Sequence, residues 1–382
     1  MKTLNELVSE RIAAKVAKGM NNAQSAMTKL VQDGKMSRDF IFEVGTEKKG
    51  IEKRIEFRPD IVPGIGARFT FPVNEYGEVN TRDYQINQHA IRQVADKLKI
   101  PGAYLTSMLY GEEWQQTLAY NILNTHNGWT DRNKVLVRAV GNEVRAFLTD
   151  QYRRLNSQLI IDNHIEEIFA NGAVLSDGYI DATKVMIESI LPYPIELHTE
   201  LNGVILLAFG TRYSTSDYGD GASDLRSFVM QGVCLNGLVR ESVLRTIHLG
   251  SKLPDNLALS QKTYELDSAT TASAIRDLTK NLFSSDVIKN RMLEVKAATD
   301  VRVDSTNVLK GLYNASKLLK GESEEIGKML MQNNPDDGLQ GESTLWKVTQ
   351  GITAFANRES VTERRRMELQ EIAGAMFDTI KK

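Results

Sequence analysis

The first pattern along the chain is a helical stripe of apolar residues. Between Leu4 and Val31 these residues recur at three- and four-residue spacing, which places them on one face of a helix. The stripe consists of Leu4, Leu7, Val8, Ile12, Val16, Met20, Ala23, Met27, Leu30 and Val31. Gly19 is a point where such a helix could bend or divide. Residues 1–37 are therefore predicted to form a helical arm that packs on the chain's own core, with a partner helix as the less favoured alternative.

Residues 38–250 carry strand and helix signals in turn. FIFEV (40–44) and RIEF (54–57) predict short strands, and a helix is expected from Asn87 to Ile100, where Pro101 marks its end. A second helix should cover about 103–123, and another follows in LNSQLIIDNHIEEIFAN. Further strands are expected in VMIESIL, GVILLAFGTRY and LRSFVMQGVCL. This segment is predicted to be the α+β core.

From about residue 251 the strand signals disappear. Ser284, Asp304 and the box Ser360-x-x-Glu363 are predicted to cap successive helices, and residues 334–342 form a polar loop between two of them. The predicted class is α+β: an antiparallel β-sheet with helices on one face, followed by an all-helical C-terminal region over 251–382.

Composition excludes several classes of protein. The 382 residues include 47 Lys+Arg against 49 Asp+Glu, a net charge of −2 that excludes a general polycation but permits a local basic surface. Because Cys234 is the single cysteine, neither an intramolecular disulfide nor a cysteine metal cage can form. No apolar run approaches the length of a membrane span, and the opening residues lack the apolar stretch of a signal peptide. We expect a cytoplasmic protein with no membrane contact.

The usual catalytic motifs are missing from the sequence. There is no Walker A loop and no G-x-S-x-G elbow, Gly64-x-Gly66 is more typical of a turn than of a dinucleotide fingerprint, and the five histidines are scattered singly. The carboxylates between Asp217 and Asp224 could hold a hard cation, but such hairpin loops are common without metal. The sequence predicts no catalytic residue, no metal site and no cofactor, and a metal-dependent enzyme is the least favoured class.

The hairpin around Gly141-Asn142 carries the most specific chemistry. A two-residue type II′ turn would set Arg138 directly opposite Arg145 and place Lys134, Leu136, Arg138, Arg145 and Phe147 on one face. Residues 132–154 hold six bases against two acids. Cations interleaved with aromatic rings on a sheet face suit single-stranded DNA, because charges contact phosphates and rings stack on bases. The predicted nucleic-acid-binding residues are Lys134, Arg138, Arg145, Phe147, Tyr152, Arg153 and Arg154.

An ordinary solvated face is the alternative for this hairpin. Its arginines would then pair with nearby acids such as Glu143 or Asp150. In that case neither arginine would be available to a phosphate.

Four blocks of the sequence resemble a phage- and plasmid-borne family known as domain of unknown function 932. They are INQHAIRQVADKLKIPGAYL (86–105), VRAVGNEVRAFLTDQYRRLNSQLII (137–161), STSDYGDGASDLRSFVMQGVCLNGLV (214–239) and LWKVTQGITAFANRESVTERRRMELQEIAGAMF (345–377). Leu235 departs from the pattern, which often has Thr before the Asn-Gly. The resemblance implies a protein of mobile elements and no particular activity. The order of hairpin, helix and strands is also similar, at fold level only, to single-strand annealing proteins of the RecT and Red-beta type.

Three hypotheses of function follow. The favoured one is a non-enzymatic, homo-oligomeric protein that binds and anneals single-stranded DNA in the host cytoplasm. Its C-terminal helical region would be available to contact a host or phage protein. An anti-defence protein that binds a host factor without DNA explains the acidic balance equally well. A structural assembly protein is the third class, which the N-terminal arm would suit.

Overall fold

The computed structural model describes residues 3–59, 65–71, 80–150, 152, 155–232, 234–246 and 260–379. Within these residues the strands are divided between two six-stranded sheets. The first, sheet A, has the strand order β1-β5-β6-β4-β3-β2. Its strands are β1 (Ser37–Glu43), β2 (Ile55–Pro59), β3 (Ile65–Thr70), β4 (Thr81–Ile86), β5 (Lys134–Val140) and β6 (Glu143–Thr149). All neighbours are antiparallel except β4 and β6, which pair in parallel through Gln85–Ile86.

One face of sheet A packs against four helices. They are α2 (Thr46–Lys49), α3 (Gln88–Leu98), α4 (Gly102–Leu109) and α5 (Glu113–Trp129). Asn87 caps α3 as an N-cap, because its side chain accepts a hydrogen bond from the amide of Ala90. The apolar side chains of α3 to α5 are buried with those of the strands in one cluster that includes Val94, Leu105 and Leu123. This cluster is the core of the N-terminal half.

Sheet B is antiparallel and has helices on both faces. Its order is β12-β11-β10-β8-β7, with β9 paired to β10. The strands are β7 (Val174–Ile180), β8 (Val185–Ile190), β9 (Ile195–Thr199), β10 (Gly203–Thr215), β11 (Ser223–Gln231) and β12 (Gly237–Thr246). On one face Phe209 and Tyr213 pack with α6 (Ser157–Ala170) and α7 (Gln261–Leu282). On the other face Leu206 and Ala208 pack against Val8 and Ile12 of the N-terminal helix.

The N-terminal arm is one continuous helix, α1 (Leu4–Met36), which packs on the chain's own sheet B as predicted. Gly19 does not divide it. A Cβ at Gly19 would lie 1.8 Å from the carbonyl oxygen of Ser176, and a Cβ at Gly178 would lie 2.3 Å from the Cα of Ala23. Small residues on both partners therefore let the helix backbone cross β7 at close range.

The C-terminal region is helical throughout its described residues. It comprises α7 and five further helices: α8 (Ser285–Asp300), α9 (Ser305–Asn314), α10 (Lys320–Gln332), α11 (Leu345–Ala356) and α12 (Glu363–Ala375). Two 3₁₀ turns lie at Pro335–Asp337 and Met376–Thr379. The predicted caps Ser284 and Asp304 are confirmed. The predicted box at Ser360 is wrong, because Thr362 supplies the cap of α12 through the amide of Arg365. The predicted class, α+β with an all-helical C-terminal region, is confirmed.

Candidate nucleic-acid interface

The hairpin forms where the sequence predicts it, but its register differs. Gly141 has a φ of 59° and supplies the two-residue turn. A β-bulge lies just before the turn: Ala139 pairs with Val144 and Arg138 pairs with Ala146, which leaves Arg145 as the extra residue. The prediction that Arg138 lies directly opposite Arg145 is therefore wrong. One inserted residue also moves everything after it in β6 to the opposite face.

Phe147 is the residue most affected by this shift. It belongs to the buried cluster of sheet A with Val137 and Val144, and only 1% of it is exposed. Its ring lies 6.4 Å from that of Phe57, and its amide donates to Oε1 of Gln93 at 2.7 Å. The prediction that Phe147 lies on the open face is wrong, and its buried ring is inaccessible to a nucleic-acid base.

Arg138 is buried in a bidentate ion pair. Nε donates to Oδ1 of Asp39 at 2.7 Å, Nη2 donates to Oδ2 of the same carboxylate at 2.9 Å, and Nη1 donates to the carbonyl of Asp217. Burial alone would lower the pKa of the guanidinium, but the bonds to Asp39 outweigh burial and raise it. All three donor groups are thus directed at this chain's own oxygens.

Arg145 has a similar environment. Nη1 donates to Asp33 of α1 at 2.5 Å, and Nε donates to Glu143 at 2.8 Å. Its guanidinium lies 5.9 Å from the centre of the Tyr218 ring. The alternative that the arginines pair with nearby acids is borne out for Glu143. The other two ion pairs of these arginines are made with Asp33 and Asp39, which are distant in sequence.

The remaining predicted residues do not form an open platform with these arginines. Lys134 is half-buried and lies opposite Glu43 in the ladder. Tyr152 is buried, and its hydroxyl donates to the carbonyl of Ser216 at 2.9 Å. Arg153 and Arg154 lie outside the described residues. The hairpin face is therefore an interior surface between sheet A, α1 and the loop after β10.

That loop brings three of the family-like blocks together. Ser157, at the start of α6, donates to Oδ1 of Asp217 at 2.5 Å, and Arg364 of α12 pairs with Asp220 at 2.6 Å. The same two blocks, 345–377 and 214–239, are also joined by Asn357, which donates to Oδ1 of Asn236 at 3.1 Å. A cavity of about 190 Å³ lies beside the loop, lined in part by Asp33 and Arg138.

The carboxylates of this loop are held by the chain's own donors. Asp217 accepts from Ser157, Asp220 from Arg364, and Asp224 from Arg226 at 2.7 Å. Among the described residues, no group of three or more His, Cys, Asp or Glu is placed to hold a metal ion. The three carboxylates therefore all have partners within the sheet B half of the chain.

A different set of cations is open to solvent at the opposite end of sheet A. There the C-terminal ends of α2 and α3 meet the connection between α5 and β5. We call this set the basic patch; it consists of Lys48, Lys49, Lys97, Lys99 and Arg132. All of them are exposed except Lys97, which is half-buried. Trp129, the last residue of α5, is 58% exposed next to this connection.

Backbone contacts gather these cations although they are far apart in sequence. Nε of Arg132 donates to the carbonyl of Lys97 at 3.3 Å. Nζ of Lys49 donates to the carbonyl of Val44 at 2.7 Å and reaches that of Arg132 at 3.5 Å. Lys48 pairs with Asp131, whose carboxylate also feels the charge of Lys99. The five cations thus surround a single turn of chain.

The patch carries more positive than negative charge. Against its five cations stand the carboxylates of Asp131, Asp96 and Glu47, a local excess of two positive charges. Burial, followed by repulsion from Arg132, lowers the pKa of Lys97 to about 8. An anion placed here would raise the pKa of Lys97 again and screen the repulsion between its neighbours.

Sequence reasoning missed the patch because its members come from three separate segments. The signal available was modest. Lys48, Lys49 and Lys97 lie in the last turn of a helix, and Lys99 and Arg132 lie just after one, where cations interact favourably with the helix dipole. Only the packing of the helices on sheet A shows that these ends coincide.

Comparison with known proteins adds no relative. No protein-family model, curated protein or solved structure matches the chain. The resemblance of the four blocks to domain of unknown function 932 stays a prediction. Across the part of the chain that the structure describes, no helix has both the length and the apolar character that crossing a bilayer requires.

Proposed function

We propose that this protein binds single-stranded DNA without enzymatic chemistry, and that it does so through the basic patch and Trp129. The observation that carries the proposal is the convergence of five cations beside an exposed tryptophan. Non-sequence-specific binding of single strands needs these two elements, since cations contact the phosphates and an aromatic ring stacks on a base.

The proposal moves the binding surface away from the hairpin. Arg138 and Arg145 each contact carboxylates of this chain, so a phosphate would have to displace Asp39 or Asp33. The cations of the patch include Lys97, Lys99 and Arg132, for which the described residues provide no carboxylate within ion-pair distance. A phosphate therefore gains a partner there at no cost in existing ion pairs.

The biological setting belongs to the same proposal. From the four blocks that resemble domain of unknown function 932 we infer a phage- or plasmid-type protein of the host cytoplasm. From the fold-level similarity to RecT-type proteins we infer that it anneals strands as a homo-oligomer. Within the apolar stripe of α1, Val8 and Ile12 pack on sheet B of the same chain and are not available for assembly, whereas Leu4, Leu7 and Met20 are exposed. Light scattering with and without oligonucleotide tests assembly, and a strict monomer under both conditions would contradict annealing.

The direct test is fluorescence anisotropy with a labelled oligothymidylate at several salt concentrations. Arg132→Ala and Lys99→Ala should each weaken binding and lower the slope of log affinity against log salt by about 0.7. Trp129→Ala should cost about 1–3 kcal/mol of binding with little change in slope.

A surface lysine elsewhere supplies the matched control. Lys289→Ala on α8, an exposed position far along the chain from the patch, should leave both affinity and slope unchanged. If the patch cations serve only the dipoles of α2 and α3, affinity will be insensitive to Arg132→Ala and Lys99→Ala while the melting temperature falls slightly. That result would refute the proposal.

A further inference from the structure

A second open surface lies in the C-terminal region, in a groove between α9 and α10. Its volume is about 660 Å³. We call it the α9–α10 groove; its lining includes Leu309, Lys310, Tyr313, Gly327, Lys328 and Met331. No described segment of the chain fills it.

The groove has an apolar floor and an apolar rim. Leu309 and Leu330 are buried at its base. Tyr313 and Met331 stand at its sides, and Met331 is 80% exposed. A large unbranched side chain left in water is unfavourable in an isolated protein, but it suits a surface that repacks around a partner.

Charge around the groove is mostly positive. Lys310, Lys320, Lys328 and Lys347 line it together with one carboxylate, that of Glu324. Lys320 pairs with Glu324 at 3.9 Å and Lys328 with Glu325 at 3.5 Å. The mostly positive lining contrasts with the rest of the segment, because residues 320–342 hold six acids and two bases. Lys320 and Lys328 are the two bases of this acidic stretch, and Lys310 and Lys347 join them at the groove from outside it.

Lys347 adds a buried positive charge to the wall. The residue is only 8% exposed, and its Nζ donates to Oδ1 of Asn333 at 2.6 Å and to the carbonyl of Gly341 at 2.9 Å. Both acceptors are neutral, and the described residues place no carboxylate within ion-pair distance of it. An ammonium has three donors, so one hydrogen bond and the whole countercharge remain for a ligand.

The dimensions of the groove match a short helix. On α9 its lining runs from Ser305 to Tyr313, and on α10 from Lys320 to Met331, which are about 12 and 16 Å at 1.5 Å per residue. Gly327 lies at mid-length: a Cβ there would sit 3.7 Å from Cδ1 of Leu309, an ordinary contact that would make the floor shallower. Two to three turns of a partner helix fit between the walls.

We propose that the α9–α10 groove binds an acidic amphipathic peptide segment of a partner protein, with its apolar side chains on Leu309 and Met331 and a carboxylate on Lys347. Apolar anchors at helical spacing supply the affinity in such a groove, and the lysine rim selects acidic over basic partners. The inference goes beyond DNA binding and is independent of the basic patch.

The test uses two displayed libraries of twelve-residue peptides. Each has three apolar positions at helical spacing in every register, with Asp and Glu at the other positions in one library and Lys and Arg in its counterpart. Selection on the full-length protein should enrich the acidic library, and selected peptides should bind in the micromolar range by isothermal titration calorimetry.

Variants then locate the binding. Gly327→Leu fills the groove and should weaken the selected peptides more than tenfold, while the melting temperature holds or rises because glycine is a poor helix former. Gly321→Leu makes the same change on the same helix where no atom lies within 4 Å, and should alter affinity less than twofold. Lys310→Ala combined with Lys328→Ala should cost about fivefold and reduce the salt dependence.

Three outcomes would overturn the proposal. The acidic library would yield no binder tighter than about 0.1 mM, or the basic library would be enriched equally, or the selected peptides would bind Gly327→Leu as tightly as the unaltered protein. An oligothymidylate that displaces the peptides and is itself weakened by Gly327→Leu would assign the groove to DNA instead.

Discussion

Two groups of cations on sheet A differ in what surrounds them. Arg138 lies on the hairpin face that α1 and the loop after β10 cover, and it contacts the carboxylate of Asp39 through two nitrogens. Arg132, six residues earlier, is exposed, and within the described part of the chain its side chain donates only to a backbone carbonyl. The first arginine has its full set of partners within the chain, and the second has donors to spare. Two arginines six residues apart therefore differ in environment: Arg138 makes a buried ion pair, and Arg132 is exposed.

The two aromatic residues show the same contrast and give the largest expected effect. Phe147→Ala should destabilise the fold by about 3–5 kcal/mol, because it opens a cavity in the core of sheet A. Trp129→Ala should change the free energy of unfolding by no more than about 0.5 kcal/mol, since the ring is mostly in solvent. Urea denaturation of both variants measures this. Equal destabilisation by Phe147→Ala and Trp129→Ala would contradict the distinction between an interior and an exposed aromatic residue.

Breaking the hairpin ion pair should have the next largest effect. Arg138→Ala removes the bidentate ion pair to the half-buried carboxylate of Asp39 and should cost about 3 kcal/mol of stability. In the double variant with Asp39→Ala, part of this loss should be recovered, because no uncompensated charge remains. Oligothymidylate affinity, measured where each variant is folded, should be unchanged. A weaker affinity with a lower salt slope would return the binding surface to the hairpin.

The smallest expected effect is a pH dependence that belongs to the basic patch alone. Lys97 has a pKa of about 8 in the folded protein, below its ordinary value, and phosphate should raise it again. Lys97 therefore takes up a proton when DNA binds, and the affinity for DNA should fall by up to about tenfold between pH 7 and 9. Lys97→Arg, which keeps its charge, should abolish that fall. Anisotropy titrations at pH 7, 8 and 9 check it, and an identical slope in the variant would exclude Lys97 from the interface.

The same shift has a consequence for stability, with the sign worked out from linkage. Between about pH 8 and 10.5 the unfolded chain binds more protons at this position than the folded chain does. The free energy of unfolding contributed by Lys97 therefore rises with pH across that window. The patch is stabilised by losing a positive charge, whereas the hairpin is destabilised by losing one.

Local chemistry in the sequence was enough to predict several elements. Asn87 and Pro101 bracket α3, Gly141 fixes the hairpin turn, and Ser284 and Asp304 cap their helices. These features depend on side chains within four residues of one another, so their energies are fixed before the chain folds. The α+β class and the helical C-terminal region follow from the same local signals.

The face of each hairpin residue was decided by the tertiary structure. Strict alternation predicts an open Phe147, but the bulge at Arg145 moves it into the core. That bulge brings Arg145 to Asp33, which lies on α1 more than a hundred residues earlier. No local signal specifies such a contact, because its energy exists only once α1 has packed against the sheet.

The tertiary structure likewise determined which residues form the basic patch. Lys49, Lys97 and Arg132 are unremarkable at the ends of separate helices, and sequence alone could not show that those ends meet. Their excess charge is a property of the assembled helices and sheet, since Coulomb interactions depend on distance in space and not on separation along the chain. The sequence by itself determined which segments become helices and strands; the fold alone determined which cations are exposed and which make buried ion pairs.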